Sequence, residues 1–190
     1  MLDAALKFLV TEVNAHLVQR TGVADAGGMT LARVTDDKGN WTLPTNSLGL
    51  TLFQIEEERA LRNPLPERVV LGGREIALPP ELKLNLTLLV SAHFTQYETA
   101  LRQLSHVLTF FHARPLFTAG DSPGLPDGVD RLAMDLLNYG PEQMNQMWSC
   151  LGTKHLPSAV YRLRMVVLQD QEPVSSGAPI LHIDATLGGR

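Results

Sequence analysis

The chain has 190 residues, a formal net charge of -4, 44% apolar and 19% charged side chains. It is too apolar for a disordered chain and too evenly interspersed with charge for a membrane protein, and it suits one soluble domain that buries roughly two-thirds of its unfolded surface. The acidic balance offers no overall attraction to a phosphate backbone, so nucleic acid is not an expected partner.

In chain order, Leu2, Ala5, Leu6, Leu9, Val10, Val13 and Leu17 recur at helical spacing and predict a helix ending near Gly22. Asp3, Lys7 and Glu12 interrupt it, so it lacks the unbroken apolar run of a signal peptide or membrane span. Synthesis in the cytoplasm without export by a standard signal is the expectation. Thr30 to Val34 reads as a strand before the turn Asp36-Asp37-Lys38-Gly39-Asn40, with pairing resumed at Trp41. Leu48 to Glu57 is apolar on both alternating sets at first, the pattern of a central strand covered on both faces, and it runs out into charge at Glu56 to Arg59.

Asn63 to Pro80 holds four prolines and Gly72-Gly73 between short β-branched pieces, which predicts a long projecting loop with a small hairpin. Leu82 to His93 alternates cleanly and predicts a core strand. Thr95 and Glu98 have the form of a capping box, followed by a helical face of Tyr97, Ala100, Leu101, Leu104, Val107, Leu108 and Phe111 that Pro115 ends. Gly120 to Gly128 is a loop, and Arg131 to Asn138 a strand. Gly140-Pro141-Glu142 starts a short helix with Met144, Met147, Trp148 and Leu151 inward and Gly152 as its stop. Ala159 to Leu168 is the last core strand. The fold expected is α/β (α+β): one compact domain over 1–169, a mixed sheet flanked by two long helices and one short one, and a flexible C-terminal arm over 170–190 whose Ile180, Leu181 and Ile183 form a sticky segment.

Chemistry is sparse. The single cysteine, Cys150, cannot form an internal disulfide, and its neighbours Met147, Trp148 and Leu151 predict a small buried side chain. Histidines at 16, 93, 106, 112, 155 and 182 show no metal-ligand spacing, and no nucleophile elbow, Walker or dinucleotide motif surrounds the serines or Cys150. No catalytic residue, cofactor or metal is expected. Glu56-Glu57-Glu58-Arg59 with Arg62 is the densest charge cluster. Mixed charge at a strand end fits a solvated rim or an inter-subunit salt-bridge network better than a carboxylate metal site. Arg162 and Arg164 share one strand face and suit an acidic partner, although exposed strand faces carry such charges routinely.

Longer strings carry a more specific signal. IEEERALRN (55–63), LPPELKLNLTLLVSAHFTQYETALRQLSHVLTFF (78–111) and PEQMNQMWSCLGTKHLPSAVYRLRM (141–165), in this order and spacing, resemble the terminator family of extracellular contractile injection systems, the antifeeding-prophage and virulence-cassette particles. The resemblance runs from the first helix to about residue 169. Gly140-Pro141 stands where the family pattern has a serine, and His155 where it has a tyrosine. The resemblance implies a non-enzymatic structural subunit that forms a homo-hexameric ring on the end of an inner tube, touches the last layer of sheath protein and fixes tube length within a released extracellular particle. Neither membrane nor nucleic acid is implied as a partner. Glu56, Glu57, Arg59, Arg62 and the segment Ile180, Leu181, Ile183 are the candidate subunit contacts. A related tube or baseplate adaptor is the first alternative. A small hydrolase or ligand-binding domain using the glutamate cluster and His93 is the second.

Overall fold

The computed structural model describes residues 1–22, 27–58, 67–71, 74–78 and 82–167. The elements are α1 (Leu2–Thr21), β1 (Met29–Leu31), β2 (Ser47–Glu57), β3 (Glu67–Leu71), β4 (Arg74–Leu78), β5 (Leu82–His93), α2 (Tyr97–Ala113), β6 (Leu116–Thr118), β7 (Val129–Leu137), α3 (Pro141–Cys150) and β8 (Ser158–Val167). Six strands form a mixed sheet in the order β1-β2-β5-β8-β7-β6, and β3 pairs with β4 as the separate hairpin expected from the proline-rich segment. The β1–β2 pairing is parallel and all others antiparallel.

Alternation along β5 divides the core. Leu84, Leu86, Leu88, Val90 and Ala92 point to the face where α1 and α2 pack, joined by Leu163 and Met165 of β8, Leu132 and Met134 of β7 and Leu48 and Leu50 of β2. α1 contributes Ala5, Phe8, Leu9, Val13 and Leu17, and α2 contributes Leu104, Val107, Phe110 and Phe111. At the other face Leu89, Val160 and Val34 meet Met147 and Trp148 of α3, a smaller cluster flanked by Phe53, Leu137, Met144 and Leu156.

α1 shows that the sheet must curl. Its Asn14 amide brackets β1, donating to the Met29 carbonyl at 2.9 Å and accepting from the Met29 N–H at 2.6 Å. Its Phe8 packs edge-on against Phe117 of β6, ring centroids 5.5 Å apart. A flat six-stranded sheet would hold those edge strands about 24 Å apart, whereas six helical residues span only about 9 Å. Curling around the helix lets one helix reach both edges.

α1 ends where expected. Gly22 takes a left-handed φ of 70° and its N–H donates to the Val18 carbonyl, closing the helix in a conformation that needs no Cβ. Gly49 has a packing role instead: a Cβ there would stand 2.8 Å from Leu43 Cδ1 and 3.1 Å from Ser91 Oγ, so the loop through Leu43 lies directly on β2.

Three expectations change. The Thr30–Val34 strand is shorter: β1 stops at Leu31, and the chain continues to an isolated Thr35–Trp41 bridge. The Thr95 capping box does not form. Thr95 instead donates its backbone N–H to Asn46 Oδ1 at 3.1 Å, and α2 starts one residue later from Gln96 without a side-chain cap. Cys150 is exposed rather than buried. At 100° per residue it sits about 110° around α3 from the centre of the Met144, Met147, Trp148 and Leu151 stripe, so sequence adjacency to apolar residues does not bury it. β2 keeps to its pattern, buried over its first half and open at its charged end. β1 pairs with Leu48 to Leu50 and no further, and burial along β2 is lost from Gln54 onward.

Candidate interaction surfaces

The end of β2 is built to be exposed. A register shift between Leu52 and Gln54 breaks the alternation against β5, and beyond β1 the outer edge of β2 has no paired strand among the described residues. Ile55 is 49% exposed. Gln54 donates to Glu56 at 2.8 Å, Asn85 donates to Glu58 at 2.8 Å, and the Glu58 N–H reaches the Lys83 carbonyl at 2.9 Å, so β5 braces the acidic run. Of the predicted rim, Glu56 and Glu57 stand exposed at this tip. Arg59 and Arg62 lie outside the described residues, as do Ile180, Leu181 and Ile183 and the boundary at 169/170.

On the face away from α1 and α2, the half of the sheet that α3 leaves open is polar. Arg162 and Arg164 stand exposed on β8, and Arg164 bonds Asp135 of β7 at 2.7 Å. A groove of about 330 Å3 beside them is lined by Glu58, Lys83, Asn85, Arg131 and Arg164. Charges of both signs alternate here.

The opposite edge is apolar. β6 pairs only with Arg131 to Ala133, so beyond Met134, whose N–H donates to the Pro115 carbonyl at 2.7 Å, the outer edge of β7 has no paired strand among the described residues. Leu108, Phe111, Pro115, Met134, Leu136 and Tyr161 line a groove of about 710 Å3 between that edge and α2. Leu136 is 52% exposed. Tyr161 is buried against Phe111, ring centroids 5.1 Å apart, and burial pushes its hydroxyl well above the ordinary phenol range.

A basic cleft of about 640 Å3 opens between the last turn of α1 and the first turn of α2, lined by Arg20, Asn46, Thr95, Thr99, Arg102 and His106 among others. Sequence reading missed it, because its cations come from two helices some eighty residues apart and meet only when those helices pack. Arg102 donates to the Thr99 hydroxyl at 3.2 Å. His16 lies nearby, its ring 5.1 Å from Phe110. Burial first, then the charges of Arg20 and His106, holds its pKa below the usual histidine value.

Other histidines do structural work. His93 stacks on Trp41 with centroids 4.9 Å apart and its Nδ1 lies 3.0 Å from the Leu43 carbonyl, while His155 packs 5.3 Å from Trp148. Among the described residues no three His, Cys, Asp or Glu side chains converge as a metal site would require, and no helix is long and apolar enough to cross a membrane.

Fold and surface together define a single mixed α/β domain with separate acidic, basic, mixed-charge and apolar patches. The Pvc16 N-terminal domain family model matches residues 4–182, and the chain belongs to that family. This agrees with the resemblance carried by segments 55–63, 78–111 and 141–165. Among solved structures, the sheath/tube terminator of a PVC extracellular contractile injection system in its extended state is similar at a TM-score of 0.61 and 15% identity, over 95% of this chain and 64% of that one. The tube-terminating cap of the anti-feeding prophage is similar at a TM-score of 0.63 and 15% identity, over 93% of this chain and 59% of that one. The chain thus spans less than two-thirds of the length of either, and at this identity the likeness is one of fold. No curated protein matches the sequence.

Proposed function

We propose that the chain is a non-enzymatic terminator or cap subunit of a contractile injection particle, forming a homo-hexameric ring on the end of the inner tube and touching the last sheath layer. One observation carries this reading: two proteins that share the fold over more than nine-tenths of this chain are a sheath/tube terminator and a tube-terminating cap. Family membership over residues 4–182 supports it. The subunit is made in the cytoplasm and leaves the cell as part of the particle.

Each copy in a closed ring needs two different complementary patches. Glu56 and Glu57, with Arg59 and Arg62 following in sequence, supply one. Residues 170–190 act as an arm whose Ile180, Leu181 and Ile183 add a strand to an exposed sheet edge of a neighbour, with main-chain pairing giving affinity and the apolar side chains register. Removing the gene from a producing strain and imaging purified particles tests the reading. Over-long or uncapped tubes, restored by the full chain, are expected. Tubes of normal length and normal ends overturn it.

A further inference from the structure

β2 carries opposite charge at its two ends. Its exit bears the exposed Glu56 and Glu57, whereas its entry, where Ser47 pairs with His93, adjoins the basic cleft through Asn46 and Thr95. The strand runs eleven residues, which separates its ends by roughly 33 Å. A compact chain of this length has a radius of gyration of about 16 Å, so tip and cleft sit near opposite sides of the body. The tip of one molecule cannot enter its own cleft.

The described lining of the cleft is basic. Among the described residues no Asp or Glu lines it, and neither Arg20 nor Arg102 has a carboxylate partner; Arg102 reaches the neutral hydroxyl of Thr99. Glu98 in the first turn of α2 offsets the positive end of that helix and Arg20 the negative end of α1, so the positive character of the cleft comes from its arginine side chains rather than from the helix ends. Guanidinium groups present paired donors to carboxylates, and at 640 Å3 the cleft has room for a strand tip bearing two glutamates.

We propose that the acidic tip of β2 in one copy docks into the α1/α2 cleft of a second copy, so that the negative charge of Glu56 and Glu57 meets the positive charge of Arg20 and Arg102. This rests on the ring reading above and gives it a specific head-to-tail contact. A second copy is the occupant because one molecule carries both halves at opposite ends of one strand, the arrangement that a heterologous, ring-closing interface requires.

The test uses two full-length variants, Glu56→Lys with Glu57→Lys, and Arg20→Glu with Arg102→Glu, followed by native mass measurement and sedimentation, with circular dichroism confirming that each is folded. Each variant alone meets like charge at every contact, and its assembly is expected to weaken at least tenfold relative to the unmodified chain. An equimolar mixture pairs a lysine tip with a glutamate cleft and a glutamate tip with an arginine cleft. It is expected to regain the assembly in strictly alternating composition. Variants that assemble individually like the unmodified chain, a folded mixture that stays monomeric, or an unmodified chain that never self-associates each overturn the proposal. Tube-end binding by the same proteins separates the two ideas: variants that form normal rings on tube ends remove the docking contact and leave the terminator reading standing, whereas an unmodified chain that forms rings but ignores tube ends does the reverse.

Discussion

The two faces of the sheet are built on different plans. On one, α1 and α2 lay two long apolar stripes over β2, β5, β8, β7 and β6, and residues such as Leu86, Leu163 and Phe117 lose all contact with water. On the other, α3 and the loop through Val34 cover only a patch centred on Leu89, Val160 and Trp148, and the rest holds Arg162, Arg164, Asp135 and Lys83. One face concentrates stability in apolar burial. The other leaves charge on the surface of a sheet that the buried face holds in place, where substitution costs little stability.

The comparison is most easily broken at Phe117, which joins Phe8 and Phe110 and carries the cation of Arg114 over its ring at 5.0 Å. Phe117→Ala should destabilise the domain by about 3–5 kcal/mol in denaturant unfolding; a loss under 1 kcal/mol would mean that the helix-covered face is not the main source of stability. On the other face, Gly49→Val forces a side chain into Leu43 and Ser91 and should cost about 1–3 kcal/mol by overpacking. A Tm equal to that of the unmodified chain would show that the loop through Leu43 lifts freely.

His16 sharpens the comparison through pH. Because the folded state holds its pKa below the ordinary value of 6.5, the unfolded chain binds the proton more readily. The contribution is therefore complete above that value and is lost as pH falls through the depressed one. Thermal melts should drop on acidification from pH 7.5 to 5.5, and His16→Gln should make the drop shallower. An identical slope in the variant assigns the loss to other groups. The smallest effect belongs to the open face. Arg164 and Asp135 are about half exposed, so Arg164→Ala should change stability by no more than about 1 kcal/mol. A larger loss by chemical denaturation would make that face part of the core rather than a platform.

Where one element carries its own period, the sequence was readable. α1, α2, β5 and β8 follow from apolar spacing alone, because each buries a continuous stripe. β6 escaped notice: three residues after Pro115 are too few to show any period, and Leu116–Thr118 becomes a strand only by pairing with β7. The Thr95 cap failed for a similar reason, since Asn46, far away in sequence, captures the Thr95 N–H. The acidic half of the contact proposed for β2 was visible as Glu56-Glu57 because those charges are adjacent in sequence. The basic half was not. Arg20, Arg102 and His106 acquire a common meaning only through the packing of α1 on α2, and the same distance effect hid the company that His16 keeps.

The position of β8 has a further consequence. It lies at the centre of the sheet, between β5 and β7, yet it is the last of the described strands, and Leu82 must find Val167 across the whole intervening sequence. Until those residues emerge from the ribosome, β7 and β5 have no common neighbour and Arg162 and Arg164 have no platform. Such long-range pairing makes folding slow. A nascent chain therefore cannot display the charges of β8 on a finished sheet before its last described strand has paired.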